Sequence, residues 1–573
     1  MNNQVQQKPV LLFLIPMYVS YSSFIEPFDN GRSYQKKDGK FYNSLSTDIP
    51  LGPISISAYV KQFVDIDVRQ IDFNVELNHV DAFPYDNFRD YCLEHLNGID
   101  FKPDIVGVSS LFSPSMFNFL DCGSVAKELW PEALVLGGGN IPTNSYEYMY
   151  SNLECDYFDA LCFGEGEKPL KDLLLAEDRS SYLETSDSWI TKSKSKPENL
   201  FIPKHDFIED LDEIPFFDYD LIDISRNSAN PVTTSFHSID NKIGFHIMTS
   251  RGCPYLCTFC ASHRTHGRKM RYHSVERVRQ DLTRLCQQYD ATQVIFQDDH
   301  LMSDKARVCE LLDIVKELKL DSLYQNGLTL YALDRPMLEA FFNAGVRHLV
   351  LPVESGSEKV LKEQMRKPLK FGISERVAED CRDLGIYTNT NILIGMPGET
   401  KADIEEARLN LRRIKTNWFN VACASPLVGS EMYETASRKG FISGDVMGAD
   451  YHHAVINTDE FSAAYIQRMQ YIFNLELNFI YNQDVLCGDF EMALKGFENV
   501  IKVRPDHAFA HYFAAKAYFQ LGNIERYNAC RNKSEHFAQL PFWKDWIEYF
   551  QLPNLGEEVF STDKASAASA APV

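Results

Sequence analysis

The sequence predicts an α/β protein with two successive α/β domains and a helical C-terminal region. Short, continuous apolar runs alternate with helical stretches twice along the chain, first from Val10 and again from Ile243. Continuous apolar strands are typical of parallel sheets that helices cover on both faces. From about Ala464 the pattern becomes helical throughout. At 573 residues, the chain is long enough for roughly three or four domains.

The composition excludes several classes of protein. Acidic residues outnumber basic ones 80 to 57, which argues against nucleic-acid binding because phosphate backbones are held mainly by Lys and Arg. Thirteen cysteines scattered over so long a chain do not form a secreted disulfide framework. The apolar run Val10–Val19 is far shorter than the ~20 residues of a membrane span. We therefore expect a cytoplasmic protein without a transmembrane segment or secretory signal.

The pattern of residues 1–175 predicts an open, Rossmann-like parallel sheet. Its strands are the apolar runs PVLLFLIP, DIDVRQIDF, DIVGVSSLF, ALVLGGGN and DALCFGEGE, with crossover helices that include Cys122–Leu129 and Glu167–Leu175. Ligands of such sheets bind beyond the carboxyl ends of the strands. The small-residue segments Ser109–Ser110, Gly137–Asn140 and Gly164–Glu167 fall at those ends. Glycine there lets a flat or phosphorylated ligand approach the backbone, although an ordinary tight turn explains each segment equally well.

The next regions are a connector, a barrel and a helical segment. Residues 176–240 have weak periodicity and predict a connector with a small subdomain. Residues 241–445 hold six β/α units of similar spacing, which predict a partial or full β/α barrel with its chemistry at the strand C-termini. Residues 446–555 are helical and resemble about one and a half tetratricopeptide repeats. Residues 556–573 lack core-forming content and predict a disordered tail.

Three cysteines lie within eight residues on the loop after the first barrel strand. Cys253, Cys257 and Cys260 are spaced C-x₃-C-x₂-C. With His263 they could form a Cys₃His zinc site, but zinc sites usually draw their ligands from two separate knuckles. Thiolates suit an iron–sulfur cluster equally well, and three of them leave one iron of a four-iron cluster free for a substrate or cofactor. The spacing alone does not distinguish a zinc site from an iron–sulfur cluster.

The cysteine motif, with Phe259 before its last cysteine, resembles the signature of the radical S-adenosylmethionine (SAM) enzymes. The segments IFQDDHL, VESGSEKVL, LIGMPGET and SPLVGSEMYE resemble, in order, the strand-end motifs of that family's partial barrel. The resemblance implies a 4Fe–4S cluster on the three cysteines and reductive cleavage of SAM to a 5′-deoxyadenosyl radical. It implies SAM contacts from these residues: Phe259, Gln297, Asp298, Asp299, Glu354, Ser355, Gly395 and Pro397. At most one of the two aspartates is expected to bind SAM, and the other to cap the following helix.

The first domain is similar to the cobalamin-binding domain of the cobalamin-dependent branch of that family. The segments that resemble that domain are DIPLGPISISAYV, PDIVGVSSLF, LVLGGGN and FDALCFGEGE. The D-x-H-x-x-G motif that supplies a histidine to cobalt in other cobalamin proteins is not found, so a cobalamin here is expected to lack such a lower ligand. The resemblance implies corrin contacts from seven residues: Ser109, Ser110, Gly138, Gly139, Asn140, Gly164 and Glu165.

The resemblance implies methylation of an unactivated carbon of a small-molecule, lipid or peptide substrate, with electrons from a donor such as flavodoxin or ferredoxin. One alternative is radical cyclisation, oxidation or carbon–carbon coupling without methyl transfer. A transfer-RNA methylthiotransferase is disfavoured by the acidic balance and by the lack of a second set of cluster cysteines. A non-enzymatic cobalamin-binding adaptor, recruiting a protein partner through the C-terminal repeat, has no need for the barrel motifs.

Overall fold

The computed structural model describes residues 8–26, 34–227, 242–326, 328–444, 446–447, 451 and 453–553. The predicted tail, residues 556–573, and the end of the predicted connector, from residue 228, lie outside the described residues. The strands are β1 (Val10–Ile15), β2 (Tyr34–Lys37), β3 (Lys40–Asn43), β4 (Asp67–Asp72), β5 (Ile105–Ser109), β6 (Leu134–Gly138), β7 (Ala160–Cys162), β8 (Trp189–Ile190), β9 (Gly244–Ile247), β10 (Ser250–Arg251), β11 (Arg271–Tyr272), β12 (Gln293–Phe296), β13 (Asp321–Tyr324), β14 (His348–Glu354), β15 (Tyr387–Ile394) and β16 (Trp418–Cys423).

Helices connect most of these strands. They are α1 (Tyr21–Ile25), α2 (Leu51–Val60), α3 (Phe73–His79), α4 (Phe88–Asn97), α5 (Met116–Leu129), α6 (Asn140–Asn152), α7 (Glu167–Leu175), α8 (Arg179–Thr185), α9 (Ile224–Asn227), α10 (His263–His266), α11 (Val275–Tyr289), α12 (Lys305–Glu317), α13 (Arg335–Asn343), α14 (Phe371–Leu384), α15 (Lys401–Leu411), α16 (Glu431–Arg438), α17 (Ala463–Leu475), α18 (Gln483–Leu486), α19 (Phe490–Val503), α20 (Ala508–Gln520), α21 (Ile524–Phe537) and α22 (Pro541–Phe550).

The N-terminal domain is the predicted open sheet. Its strand order is β4-β1-β5-β6-β7-β8, and the first five strands are parallel while β8 runs antiparallel to β7. All of β1 is buried, as a strand covered by helices on both faces requires. On one face, Phe119 of α5 stacks on Phe158 with 4.8 Å between ring centroids. On the other face, Leu173 of α7 packs with Leu11 and Trp189. The predicted fold class of this region is confirmed.

The predicted β/α units follow in the second domain. Strands β9, β12 and β13 form one parallel sheet, and β14, β15 and β16 form a second one. The six predicted β/α units are present, with the strands β9, β12, β13, β14, β15 and β16. Because the described strands pair as two sheets of three, the arrangement is an open, partial barrel rather than a closed one.

A short antiparallel ribbon was not predicted. Strands β10 and β11 pair as Ser250 with Tyr272 and Arg251 with Arg271. They join the two ends of the loop 252–270, which carries the three clustered cysteines. Gly252 has a φ of +98°, and a side chain there would collide with the carbonyl oxygen of Lys269. Only glycine permits this close approach, so the loop leaves the ribbon as a tight neck.

The described residues form two compact units, one ending at Leu477 and the other beginning at Asn478. The first unit contains both α/β domains. In the second unit, Phe479 stacks on Phe497 and on His507, and Trp543 lies against the same histidine ring. The helical C-terminal region is as predicted, whereas its tetratricopeptide character and the predicted domain boundaries stay predictions. Among the described helices, none combines the length and apolarity that crossing a bilayer demands.

Candidate functional site

The cysteine loop is held by hydrogen bonds at two points. At its neck, the Cys253 amide donates to the carbonyl of Gly267. Further on, Thr258 donates through its amide to Met365 and through its hydroxyl to Gln364, at 3.1 and 2.6 Å. All three cysteines are half-buried, on the loop that joins β10 to β11. The loop therefore presents three accessible thiols on an anchored backbone.

The three thiols lie close enough together for the charges of Cys257 and Cys260 to act on Cys253. Within the described residues, no set of three or more His, Cys, Asp or Glu side chains surrounds a point where a single metal ion would bind. The zinc hypothesis requires the three cysteines and His263 to surround one ion. In a four-iron cluster, each thiolate binds a different iron. Burial raises the pKa of Cys253 to about 12, with further contributions from Cys260 and Asp299.

Glu354 lies at the end of β14 in an unusual backbone conformation. The register between β14 and β15 shifts between Pro352 and Glu354, and Glu354 has a φ of +69°. A non-glycine residue in the left-handed region is strained, and such strain concentrates at functional sites. Lys367 donates to its carboxylate at 3.2 Å and also lies 5.9 Å from the ring centroid of Phe259. Glu354 is thereby linked to the cysteine loop.

The two aspartates after β12 differ in their surroundings. Asp298 is fully buried and accepts hydrogen bonds from the Thr249 hydroxyl at 2.7 Å and the Ser250 hydroxyl at 2.6 Å. Asp299 is half-buried, and its Oδ2 is buried without a hydrogen-bond partner among the described residues. Its charge acts on Cys253. Asp299 therefore stays the predicted SAM ligand of the two. The expectation that the other aspartate caps the following helix is wrong, because Asp304 caps α12.

The other predicted SAM residues divide into open and buried positions. Gln297 is half-buried and donates to Gln325 at 3.1 Å, beyond the ends of β12 and β13. Ser355 and Pro397 are buried. Gly395, with a φ of +91°, donates its amide to the carboxylate of Glu399 at 2.7 Å.

Glu399 was not predicted as a site residue. It is fully buried, accepts from the amides of Gly395 and Met396, and leaves Oε1 without a partner among the described residues. Burial raises the pKa of Glu399 to about 7. A buried acid beside a glycine turn could be found in the sequence only once the turn was known to fold back on it.

The glycine-rich edge of the N-terminal sheet has an open and a crowded position side by side. A side chain at Gly138 would meet nothing within 4 Å. At Gly139, with a φ of +95°, it would collide with the carbonyl oxygen of Ser110. Ser109 ends the neighbouring strand β5, and Ser110 follows it and donates its amide to the carbonyl of Gly138 at 3.1 Å. The backbone of this edge, the glycine cradle, is uncovered at Gly138, and its contact with a ligand stays a prediction.

Three large apolar side chains beside this edge are exposed and were not predicted. Leu111, Phe112 and Phe117 follow β5 and are 46%, 42% and 47% exposed. Phe112 packs edge-on against Tyr18, with ring centroids 5.2 Å apart. Apolar side chains exposed together next to a glycine cradle suit a ligand with a large apolar face.

Two family profiles match the chain. One, the radical SAM superfamily, covers residues 247–410, and the other, the B12 binding domain, covers residues 47–174. The chain contains a radical SAM domain and a B12-binding domain. Both predicted domain identities are confirmed, whereas the individual site residues stay predictions.

Several proteins are similar to the chain over most of its length. A cytidylyl-2-hydroxyethylphosphonate methyltransferase from Streptomyces wedmorensis is 27% identical over 71% of this chain and 82% of its own length. An anaerobic magnesium-protoporphyrin IX monomethyl ester cyclase from Rubrivivax gelatinosus is 24% identical over 63% of each chain. The structure of the cobalamin-dependent SAM radical enzyme OxsB, with aqua-cobalamin and SAM bound, has the same fold: TM-score 0.57, 14% identity, 97% of this chain and 82% of that one.

The remaining predicted residues of the B12-binding domain lie against the radical SAM domain or the connector. Asn140 accepts from the hydroxyl of Thr265, in helix α10 of the cysteine loop, at 2.7 Å. A side chain at Gly164, with a φ of +81°, would collide with the ring of His205. Glu165 is buried and accepts from Arg251, His266 and Arg271 of the radical SAM domain, at 3.0, 2.9 and 2.5 Å. Its carboxylate is therefore already bound by protein side chains.

Proposed function

We propose that the protein is a cobalamin-dependent radical SAM methyltransferase that methylates an unactivated carbon of a small-molecule or lipid substrate. The observation that carries this proposal is that the cysteine loop and the glycine edge of the B12-binding domain belong to one compact unit and are joined by direct contacts. The methyltransferase name of the Streptomyces relative supports the reaction type. At 27% identity, the substrate named for that relative is not proposed as the substrate of this protein.

The residues fit the cofactors of such an enzyme. Cys253, Cys257 and Cys260 would hold a 4Fe–4S cluster and leave one iron for the amino and carboxylate groups of SAM. When bound, the cluster and SAM would supply a carbon radical on reduction, and cobalamin would supply the methyl group. Glu354, presented by its strained backbone, would accept from the ribose hydroxyls. Asp299, through its unpartnered Oδ2, would accept from the SAM amino group.

The B12-binding domain would supply the second cofactor site. Gly138 offers the open backbone that a corrin needs for close approach, and Leu111, Phe112 and Phe117 would cover its apolar face. Gln297, Gly395 and the buried pair Ser355 and Pro397 would shape the SAM pocket. The substrate would enter at the strand ends between the two sites, and a low-potential protein such as flavodoxin or ferredoxin would deliver electrons. The thirteen cysteines are scattered and lack the pattern of a secreted disulfide framework, which supports a reducing compartment, the cytoplasm.

The test is anaerobic reconstitution of the full chain with iron, sulfide and cobalamin, followed by reduction in the presence of SAM. We expect about four irons, four sulfides and one cobalamin per chain, and formation of 5′-deoxyadenosine. Cys257→Ala should lose the cluster and the deoxyadenosine, whereas Cys286→Ala, a helix cysteine outside the loop, should keep both. Zinc in place of iron, or intact SAM under strong reductant, would overturn the proposal.

A second candidate reaction is radical cyclisation without methyl transfer. The Rubrivivax relative, named as a cyclase, supports this alternative. The two reactions differ in the SAM products. A methyltransferase forms S-adenosylhomocysteine as well as 5′-deoxyadenosine, whereas a cyclase forms 5′-deoxyadenosine alone. Product analysis of the reconstituted enzyme with deuterated-methyl SAM, using mass spectrometry of any modified substrate, separates them.

A further inference from the structure

The neck of the cysteine loop places two arginines directly opposite each other. Arg251 and Arg271 are cross-strand partners in the β10–β11 ribbon, and both are almost fully buried, with 6% and 3% exposure. Like charges facing each other across a strand pair destabilise it, and burial strengthens their repulsion because water no longer screens it. The ribbon therefore needs negative charge from elsewhere.

That charge comes from the B12-binding domain. Glu165 accepts from Arg271 through both oxygens, at 2.5 and 2.9 Å, and from Arg251 at 3.0 Å. Glu167 accepts from Arg251 at 2.7 Å and from Ser55 at 2.6 Å. Two carboxylates thus balance two guanidinium groups in a buried, neutral cluster. Burial alone would raise the pKa of Glu165, but Arg251, His266 and Arg271 hold it well below its usual range, so the carboxylate is ionised.

A third contact reaches the other end of the loop. His266, in α10, lies 2.9 Å from Glu165, and Arg271 donates to the His266 carbonyl at 3.1 Å. One carboxylate therefore contacts the loop before Cys253 and after Cys260. None of these side chains belongs to the cysteines or to the proposed SAM and corrin contacts, apart from Glu165 itself.

From this geometry we infer that Glu165 is a positioning residue: it fixes the conformation of the cysteine loop of the radical SAM domain from the B12-binding domain, and so couples the order of one cofactor site to the presence of the other domain. The inference rests on the proposed function only for the identity of the group that the cysteines hold. The loop geometry itself is independent of it.

Glu476 provides a matched control. It is also almost fully buried, at 1%, and is bracketed by two arginines, Arg408 at 2.6 Å and Arg412. It lies at the end of α17, within the same compact unit but away from the cysteine loop. Glu165→Gln removes a carboxylate that pairs with Arg251 and Arg271, and Glu476→Gln removes one that pairs with Arg408 and Arg412, so both variants should lose thermal stability.

The two variants should differ at the loop. Hydrogen–deuterium exchange of the cluster-free protein should show about tenfold faster exchange of peptides covering 252–270 in Glu165→Gln and no change there in Glu476→Gln. After reconstitution, the electron paramagnetic resonance spectrum of the reduced cluster, and its change on adding SAM, should shift in Glu165→Gln alone. Equal loop exchange in the two variants, or an unchanged Glu165→Gln loop, would overturn the inference.

A charge-balanced double variant covers the case in which Glu165→Gln does not fold. The double variant Glu165→Gln/Arg271→Gln removes one charge of each sign, so it should fold. Because it still lacks the Glu165 carboxylate, its 252–270 loop should still exchange faster than that of the wild-type protein. Protection equal to wild type would contradict the inference. If the wild-type protein binds no iron but the exchange pattern holds, the proposed function fails and the positioning role stands.

Discussion

Lys367 donates a hydrogen bond to the carboxylate of Glu354 across 3.2 Å, at the residue where β14 leaves its regular register. The ion pair is partly buried, with both side chains below one-fifth exposed. It stabilises a carboxylate whose backbone, at φ +69°, is conformationally unfavourable. Side-chain pairing and backbone strain at one residue can be separated by mutation.

Glycine should relieve the strain at position 354. The left-handed conformation costs a non-glycine residue roughly 1–2 kcal/mol, so Glu354→Gly should be about 1 kcal/mol more stable than Glu354→Ala. Both variants should bind SAM more weakly, because both lack the carboxylate. Denaturant unfolding of the cluster-free protein and calorimetric SAM titration of the reconstituted one measure the two effects. Equal unfolding free energies would show that the strain is absent in solution.

The neighbouring aspartates should respond oppositely to removal. Asp298→Ala leaves the Thr249 and Ser250 hydroxyls buried without their acceptor, which should cost about 1–3 kcal/mol of unfolding free energy. Asp299→Ala should stay within about 0.5 kcal/mol of wild type and weaken SAM binding. The measurements are thermal unfolding and SAM titration of both variants. Normal SAM affinity in Asp299→Ala would exclude it as a ligand of the SAM amino group.

The adjacent glycines of the B12-binding domain should separate folding from cobalamin binding. Gly139→Ala forces a side chain into the Ser110 carbonyl at positive φ and should destabilise the domain by about 1–3 kcal/mol. Gly138→Ala adds a methyl group in open space, so its stability should match wild type while its cobalamin content after reconstitution falls. Full cobalamin occupancy in Gly138→Ala would place the corrin elsewhere.

Glu399 should make stability depend on pH. Its pKa is about 7 in the folded protein, raised by burial from an ordinary value of 4.5, so the folded state binds the extra proton. Stability is therefore greatest below about pH 4.5 with respect to this group and falls as pH rises to about 7, by on the order of 3 kcal/mol. Glu399→Gln keeps an acceptor for the two amides without titrating. The difference in unfolding free energy between wild type and this variant should change over pH 5–7 and be flat above pH 8.

The sequence predicted those parts of the fold that local pattern encodes. Continuous apolar runs located β1, β5 and the six barrel strands, because each buries its own side chains. The β10–β11 ribbon was missed because strands of two residues have no periodicity. Family motifs pointed to Glu354 and the cysteines, but the positive φ of Glu354 follows from a bulge between strands, which no local segment specifies.

Long-range charge pairing explains the different outcome for Glu165. At the end of a strand in a glycine-rich turn, it was expected beside a ligand. Its partners, Arg251 and Arg271, lie in another domain, and nothing in either segment alone indicates that they meet. Leu111 and Phe112 were overlooked for a related reason, since only the three-dimensional surface shows that these apolar side chains are uncovered.

The buried cluster at the loop neck also limits how the protein can be recombined. A barrel expressed from residue 242 onward would expose Arg251 and Arg271 together, with no acid to neutralise them. A chimera that exchanges the first domain for one from a relative should work only where the donor supplies carboxylates in register with Glu165 and Glu167. We therefore expect that the N-terminal domain and the barrel can be exchanged together but not separately.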